Sequence, residues 1–333
     1  MVSDNKTIDF VIPWVDDTDP VWRAKKAEYT GVKETEGNTC VRYRDWDTLK
    51  YWFRGVEKFA PWVRYVHFVT DNQKPEWLNI EHPKLRWVKH TDFIPQEYLP
   101  TFQVNPIELN LHRIPDLAEH FVYFNDDVFL IKETKEEDFF VDGLPCDIPI
   151  LGPLLPKGFF SYILFNNINL LNRHFSLKES IKANPGKWVK GQSAAGLMKL
   201  ALYGRSDGIP NSVSKHIHTN FMKHTFDTVW EKEYDALHAT CQHKQRTKED
   251  VSVYCVRDWQ LFSGEFHPQK PIGKGFHTAE IANNDKIIEY VRLQKGKVIC
   301  LNDTEAEIMF EAHKKLILDA FEKLLPEKSS FEL

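Results

Sequence analysis

The sequence predicts an α/β fold with a Rossmann-like, mainly parallel sheet, and three observations support this. Short apolar runs alternate with amphipathic stretches over residues 8–127. Polar and acidic residues follow the ends of these runs at 16–19, 71–73 and 125–127, and the carboxyl ends of parallel strands meet at one edge where ligands bind. Finally, 42% hydrophobic and 13% aromatic residues in 333 residues are enough for a large packed core.

The first strand is predicted over residues 8–15, a β-branched and aromatic run that stops at the acidic turn 16–20. A helix is predicted over 46–59, because Leu49, Trp52, Phe53, Val56 and Phe59 recur at helical spacing before Pro61. Further strands are predicted at 63–70, 85–88 and 121–124, with a helix at 108–119 before the last of them.

The pattern changes near residue 145. Loops are predicted at 152–156 and 166–167, and helices at 187–203 and 251–262. A late strand at 297–301 and an amphipathic helix at 305–325 are expected to return to the first sheet. The predicted organisation is an N-terminal part of the α/β core at 1–145, a helical insertion at 146–295, and a returning strand and helix at 296–333.

Charge and cysteine content exclude several classes of protein. With 43 Lys and Arg against 48 Asp and Glu, the net charge of −5 gives no general positive field for nucleic acid or an anionic membrane. Five widely spaced cysteines without a CxxC motif argue against a disulfide framework and a zinc knuckle. No apolar run of about 18 residues and no apolar N-terminal segment occur, so we expect a cytoplasmic protein.

The acidic clusters are candidates for binding a metal or a nucleotide. Asp126 and Asp127 follow an apolar strand, where a hard divalent cation could bind them together with phosphate oxygens. The alternative is a loop or a helix cap. Asp16 and Asp19 have the same two interpretations, a nucleotide or metal contact and a simple turn, since Asp and Pro both favour turns.

Basic residues and histidines complete the set of candidates. Arg42, Arg44, His112 and Arg113 could hold phosphate, because the arginine fork matches phosphate oxygens, although surface arginine is the plainer interpretation. His216, His218 and His224 lie within nine residues, where metal, acid–base and incidental roles are all open. The chain lacks HExxH, GxSxG, a P-loop and a GxGxxG before a helix, so zinc-protease, serine-hydrolase, P-loop and dinucleotide-binding sites are disfavoured.

Several segments resemble the signatures of the Stealth family, hexose-1-phosphate transferases of bacterial capsule synthesis related to the animal GlcNAc-1-phosphotransferase. Residues 8–22 resemble its first signature, and 42–45, 60–63, 69–73, 111–115 and 123–129 resemble its long second signature. Residues 218–222 match the third without its usual prolines, and 298–303 resemble the fourth. Arg246 and the acidic residues after it are similar to a feature of the GlcNAc-1-phosphotransferase branch. Asp17-Thr18 stands where the family more often has Gly-Ser.

The resemblance implies a GT-A-like nucleotide-sugar transferase core that transfers a sugar 1-phosphate, typically of an N-acetylhexosamine, from a UDP-sugar to a hydroxyl of an acceptor glycan. The products are a phosphodiester and UMP, and the insertion at 146–295 shapes the acceptor side. It also implies cytoplasmic work in capsular or exopolysaccharide synthesis, with peripheral association with membrane-bound machinery as one possibility.

Site residues are assigned on this basis. His218 is the expected base, preferred over His216, with Asp16 as the alternative base. Arg113 and Arg246 are expected on phosphate oxygens, and Asp126 and Asp127 on Mg²⁺ or Mn²⁺. Donor or substrate contacts are expected from a further set: Asp19, Arg42, Arg44, Asp71, Asn72, His112, Asn125, Asn302 and Asp303.

Two other functions compete with this one. A metal-dependent glycosyltransferase would present the same acidic pair, but it would attack the anomeric carbon and release UDP. A non-catalytic glycan-binding protein would use aromatic residues to stack on sugar rings, and it would show no dependence on metal.

Overall fold

A computed structural model describes residues 7–31, 45–277, 281–303 and 310–333. Its strands, in chain order, are β1 (Ile8–Pro13), β2 (Val66–Thr70), β3 (Leu85–Lys89), β4 (His120–Tyr123), β5 (Val128–Leu130), β6 (Phe140–Val141), β7 (Leu144–Asp147), β8 (Leu151–Gly152), β9 (Asn211–Ser212), β10 (Thr219–Met222), β11 (His267–Pro268), β12 (Gly273–His277) and β13 (Val298–Asn302).

The helices, in chain order, are α1 (Pro20–Thr30), α2 (Leu49–Phe59), α3 (His90–Phe93), α4 (Val104–Leu109), α5 (Phe160–Leu171), α6 (Leu177–Ala183), α7 (Pro185–Val189), α8 (Ala194–Tyr203), α9 (Lys223–Lys232), α10 (Tyr234–Gln242), α11 (Tyr254–Ser263), α12 (Ile281–Arg292) and α13 (Phe310–Leu324). Short 3₁₀ turns lie at Gln96–Tyr98, Leu111–Arg113 and Glu136–Asp138.

The main sheet has the strand order β10-β4-β1-β2-β3, and its first four strands in sequence are parallel. The predicted α/β class with a parallel sheet is therefore confirmed. β10 closes the sheet antiparallel to β4. The predicted strands at β1, β2, β3 and β4 are confirmed, with ends that differ by a few residues from the predicted ones.

Alternate residues of the buried strands pack into two hydrophobic clusters, because successive strand side chains point to opposite faces of a sheet. Phe10 and Ile12 of β1 join the cluster beneath α2 and α13, whereas Val11 joins the cluster beneath α9, α10 and α11. The predicted helix α2 is confirmed and buries all five of the residues that predicted it. Helices thus cover both faces of the sheet, as this fold requires.

β13 does not return to the main sheet as predicted. It pairs with β12 in parallel and with β5 antiparallel, forming a second sheet. Helix α13 does return to the main core, where Ile317 and Phe321 are buried in the cluster with α2. The domain limits at 145 and 295 stay a prediction.

The predicted helices need correction at four places. The loop predicted at 166–167 is wrong, because both residues lie within α5. The acidic turn 16–20 leads directly into α1, which was not predicted, and the Asp19 side chain caps that helix by accepting from the Val21 amide at 2.8 Å. The predicted helix at 108–119 is wrong, because α4 ends at Leu109 and the residue before Pro115 disfavours helical backbone. The predicted helix at 187–203 is two helices, separated where Gly191 takes a positive φ of 79°.

Two absences concern the described residues only. Their four cysteines, Cys146, Cys241, Cys255 and Cys300, are buried free thiols. None of their helices has both the length and the apolar character needed to cross a bilayer.

Candidate active site

The strand directions bring the predicted acidic residues to one edge of the main sheet. β1, β2 and β4 end there, so the loops carrying Asp16, Asp71 and Asp127 all leave from that edge. β10 runs in the opposite direction, and Thr219 at its start pairs with Tyr123 at the end of β4. The segment just before β10 therefore reaches the same edge.

His216 lies in that segment and faces Asp127. Its Nε2 atom is 3.6 Å from Asp127 Oδ2, and its Nδ1 atom is 3.3 Å from the hydroxyl of Tyr254. The backbone of His216 is left-handed, with a φ of 47°, so the extended conformation is interrupted just before β10. Burial disfavours the imidazolium, but Asp127 and then Glu108 more than offset this effect and raise the pKa of His216 above its usual value.

The second sheet supplies the next contact. β13 pairs with β5 so that Cys300 lies opposite Val128, beside Asp127. The Cys300 thiol donates to Asp127 Oδ2 at 3.3 Å, and burial followed by the charge of Asp127 raises the pKa of this thiol far above its usual value. Cys300 is therefore a neutral thiol here, which holds one oxygen of Asp127 in place.

The other oxygen of Asp127 has no such support. Asp127 Oδ1 is buried and has no hydrogen-bond partner among the described residues. Ligand atoms of Asp127, His216 and Cys300 lie within 4.8 Å of one another, a spacing that could hold a metal ion. An orphaned carboxylate oxygen suits a hard divalent cation such as Mg²⁺ or Mn²⁺, whereas a protonated thiol does not bind one strongly.

Five aspartates form what we call the aspartate cluster: Asp16, Asp17, Asp45, Asp126 and Asp127. Desolvation raises the pKa of both Asp17 and Asp45, and the charge of Asp16 raises both further. Asp126 keeps some solvent access, but the surrounding protein removes much of its hydration. This desolvation, and after it the charge of Asp127, raises the pKa of Asp126 to about 7. The cluster thus concentrates negative charge, which Arg23, Lys26 and Lys314 offset only in part.

Arg246 supplies positive charge near His216 and Glu108. Its guanidinium lowers the pKa of both Glu108 and His216, as a nearby cation should. Burial nevertheless raises the pKa of Glu108 to about 7, and Glu108 accepts a hydrogen bond from the Tyr123 hydroxyl at 2.8 Å. Within the described part of the chain, Arg246 is half-buried and forms no hydrogen bond or ion pair, so its guanidinium is available to an anionic ligand.

His218 occupies a different environment from His216. Its ring packs against Phe139 and Phe124, with centroid separations of 5.0 and 5.9 Å. Burial lowers its pKa to about 3, so the ring is neutral, and its Nδ1 atom has no partner among the residues that the structure describes. It also borders a small, partly open cavity of about 50 Å³ whose lining includes Lys215, Asp138 and Lys270.

The remaining predicted residues are divided between this edge and other places. Asp16 accepts from Thr18, and Gln73 donates both to the Asp16 carbonyl and to Asp19, so these side chains stabilise the loop after β1. Asp71 forms an ion pair with Lys25 of α1 at 2.8 Å.

Asn72 follows Asp71 with a left-handed backbone and is exposed. The Asn125 carbonyl accepts from the Val128 amide. Asn302 lies 3.5 Å from His277, and Asp303 accepts from the Trp46 indole at 3.1 Å.

His112 and Arg113 lie against α9 instead. The His112 ring stacks on Phe226 at 5.5 Å, and burial lowers its pKa to about 3. The Arg113 guanidinium lies over the Trp230 ring at 5.2 Å. Among the described residues, neither His112 nor Arg113 contacts the aspartate cluster. Arg42 and Arg44 lie outside the described residues.

Sequence reasoning missed four residues of the site: Asp45, Glu108, Tyr254 and Cys300. Glu108 left a signal, since it is a carboxylate flanked by Ile107 and Leu109, which predicts burial of a charge. Cys300 and Tyr254 left none, because only the pairing of β13 with β5 and the packing of α11 bring them here.

Known proteins are similar to this chain over nearly its full length. Conserved region 1 of Stealth proteins matches residues 6–31, and conserved region 2 matches residues 42–146. The chain is 42% identical to the capsular polysaccharide phosphotransferase WcwK of Streptococcus pneumoniae over 331 residues, covering 98% of each chain. It is 40% identical to the receptor polysaccharide phosphotransferase WefC of Streptococcus oralis, covering 98% of this chain and 99% of the relative. It is 35% identical to the exopolysaccharide phosphotransferase cps2G of Lactiplantibacillus plantarum, covering 98% of this chain and 96% of the relative.

Solved structures give distant likenesses. The apo glycosyltransferase GlyE of Streptococcus pneumoniae TIGR4 matches with a TM-score of 0.41 and 8% identity, covering 98% of this chain and 64% of that one. The galactosyltransferase LgtC, in complex with donor and acceptor sugar analogues, matches with a TM-score of 0.38 and 11% identity. The match covers 93% of this chain and 95% of LgtC. Neither likeness is close enough to assign a fold family.

Proposed function

Because this chain belongs to the Stealth family of polysaccharide phosphotransferases, we propose that it transfers a sugar 1-phosphate from a UDP-sugar to a hydroxyl of an acceptor glycan. N-acetylhexosamine is the donor sugar that we propose, in capsular or cell-surface polysaccharide synthesis. One observation supports this most: a histidine poised as a base faces a partly unpartnered carboxylate at the ligand-binding edge of the sheet.

The reaction forms one oxygen–phosphorus bond and breaks another. The acceptor hydroxyl oxygen attacks the phosphorus that carries the sugar, and the bond from this phosphorus to the oxygen bridging the two phosphates breaks. UMP leaves with that bridging oxygen, and the product is a phosphodiester between the donor sugar and the acceptor. The acceptor hydroxyl must lose its proton in the process.

His216 is the residue that we propose to take this proton. If Nδ1–H donates to the Tyr254 hydroxyl, the lone pair is on Nε2, on the side of the cleft that holds Asp127. Asp127 then stabilises the imidazolium that forms, because opposite charges 3.6 Å apart in a partly buried site attract strongly. The neutral His218 ring, enclosed by Phe124 and Phe139, has weaker support as the base, and its predicted role stays a prediction.

Asp126 and Asp127 are the residues that would hold a divalent cation, Mg²⁺ or Mn²⁺. The orphaned Oδ1 of Asp127 fits such an ion, which when bound would supply positive charge to the phosphate oxygens. Arg246 is proposed to bind a phosphate oxygen of the donor, since its guanidinium forms no ion pair with the described residues and lies near His216. Asp16 stays the alternative base, and the donor contacts predicted for the other residues at this edge stay predictions.

The nucleotide that leaves tests the proposal. Purified protein is incubated with Mg²⁺ or Mn²⁺, a panel of UDP-sugars and an acceptor oligosaccharide mixture, and UMP is separated from UDP by chromatography. We expect metal-dependent UMP release that increases with acceptor and is lost in Asp127→Asn. The control Asp319→Asn removes an exposed aspartate on α13 and should retain activity. Release of UDP in place of UMP would identify a glycosyltransferase and overturn the proposal.

A further inference from the structure

Helix α8 exposes an entirely apolar face. Its solvent-exposed residues are Ala194, Ala195, Leu197, Met198, Ala201 and Leu202. Its one charged residue, Lys199, is less exposed and lies on the side that packs towards β8. A surface helix normally carries charged and polar residues on its outer face. The inner side of α8 packs Leu200 and Tyr203 against the core, so the helix is apolar on both sides. Its outer face is therefore suited to contact something other than water.

The exposed apolar side chains are concentrated around this helix. Among the described residues, eight of the fourteen exposed large hydrophobic side chains lie between positions 155 and 202. Met198 and Leu202 are 74% and 73% exposed, and Leu155, in the loop after β8, is 69% exposed. Scattered exposed apolar residues need no explanation, but a local concentration of this kind marks an interaction surface.

The same segment is strongly basic, in contrast to the chain as a whole. Residues 153–207 contain eight Lys and Arg but only Glu179 and Asp207 as acids, a local charge of +6 in a chain of net charge −5. Six of these cations form no ion pair with any residue that the structure describes: Lys157, Lys178, Lys187, Lys190, Lys199 and Arg205. A second copy of the chain would bring like charges together across the interface, so this charge disfavours self-association.

We propose that the face formed by α8 and its flanking basic residues, the α8 surface, binds an anionic membrane. Ten residues at about 1.5 Å each give a helix half as long as the hydrocarbon core is thick, so α8 can lie in the interface but cannot span it. Met198 and Leu202 enter the boundary between headgroups and acyl chains, while Lys190 and Arg205 meet anionic headgroups. The net negative charge of the remaining chain orients the protein with this surface towards the membrane.

Vesicle flotation of the full chain tests the proposal. The probes are vesicles of pure phosphatidylcholine and vesicles with about one-third phosphatidylglycerol. We expect binding to the anionic vesicles only, weakening as salt rises. Met198→Gln with Leu202→Gln should lower the partition coefficient about tenfold. The matched control, Leu293→Gln with Leu316→Gln, removes exposed leucines elsewhere and should leave it unchanged.

A second variant changes the cations of the α8 surface and leaves its apolar residues in place, so it tests the electrostatic contribution separately. Lys190→Glu with Arg205→Glu should lower binding at least about thirtyfold, since each cation near an anionic surface contributes about 1 kcal/mol. Circular dichroism and the urea midpoint check that each variant is folded. No binding of the wild type to anionic vesicles, or equal binding of wild type and both variants, would overturn the proposal. The proposal would also be overturned if the wild type were a dimer that binds no vesicles and the Met198 and Leu202 variant were a monomer. The measurement uses no nucleotide or sugar, so its outcome is independent of the transfer reaction.

Discussion

The two neighbouring histidines give the sharpest test of the proposed chemistry. Replacing His216 by asparagine should lower turnover, whereas replacing His218 by asparagine should lower stability. Asparagine cannot accept the proton, and it tolerates the left-handed backbone at His216, so the substitution removes the base without straining the loop. We expect His216→Asn to lower kcat by about 10²–10⁴, which corresponds to about 2.7–5.4 kcal/mol of activation free energy. The His216 side chain is 43% exposed, so stability should change by less than about 1 kcal/mol.

His218→Asn should change stability in place of activity. Its ring contacts Phe139 and Phe124, and aromatic pairs of this kind contribute about 0.5–1.5 kcal/mol each, so we expect a loss of about 1–3 kcal/mol. Turnover should stay within a few-fold of the wild type, because the neutral ring has no contact with the aspartate cluster among its described contacts.

Both variants are measured in the same two assays, UMP release at saturating donor and urea unfolding. Added imidazole should partly restore turnover in His216→Asn if the defect is the missing base. The reasoning would be refuted if His218→Asn lost about a hundredfold in kcat while folded and His216→Asn kept turnover within a few-fold. The base would then be His218, reached through the cavity that it borders.

Three further predictions concern charge. Arg246→Met should raise the KM for the UDP-sugar about tenfold or more with an unchanged urea midpoint, and Arg246→Lys should restore part of the loss. His224, whose pKa is raised to about 10 by hydrogen bonds to Glu119 and then to Glu265, should stabilise the fold below pH 6.5 and lose this contribution as pH rises towards 10. His224→Gln should therefore lower the urea midpoint at pH 6 but not at pH 10. The loss of unfolding free energy at pH 6 should be less than about 1 kcal/mol, because the side chain is half-exposed. Asp126→Asn should abolish transfer without lowering stability, whereas Asp9→Asn should cost about 3–5 kcal/mol of unfolding free energy.

The sheet edge was predictable from the sequence because each parallel strand carries its own local signal. The apolar runs before Asp16, Asp71 and Asp127 mark strands, and parallel pairing brings their ends together whatever the exact register. The cap at Asp19 was also within reach, since Asp followed by Pro is a helix start as well as a turn. Sequence reasoning weighed a turn against a nucleotide or metal contact, and α1 was missed.

The choice between His216 and His218 was not predictable in the same way. It depends on the antiparallel entry of β10 and on the left-handed backbone at His216, and neither leaves a local pattern. A four-residue strand is too short for periodicity to set which side chain faces which side. The position of Cys300 likewise depends on β13 pairing with β5, across a separation of about 170 residues, which hydropathy does not encode.

Two aspartates of this fold show how contacts separate a structural acid from one that awaits a ligand. Asp9 is fully buried, and it accepts hydrogen bonds from Arg64 at 2.9 and 2.7 Å, from His67 at 2.9 Å and from the Ala118 amide at 2.9 Å. Burial alone would raise its pKa, but these partners more than offset that effect and lower it. Removing this carboxylate leaves a fully buried imidazole and a partly buried guanidinium without their partner, hence the large expected loss.

Asp126 has the opposite balance. Desolvation and the charge of Asp127 raise its pKa to about 7, so its charge destabilises the cleft in the absence of a ligand. Its replacement by asparagine removes repulsion, and we expect the urea midpoint to stay equal or rise, as happens when strained active-site groups are removed. A fall comparable to that of Asp9→Asn would show that Asp126 holds the fold together, and the cleft would then lose its best candidate for binding an external cation.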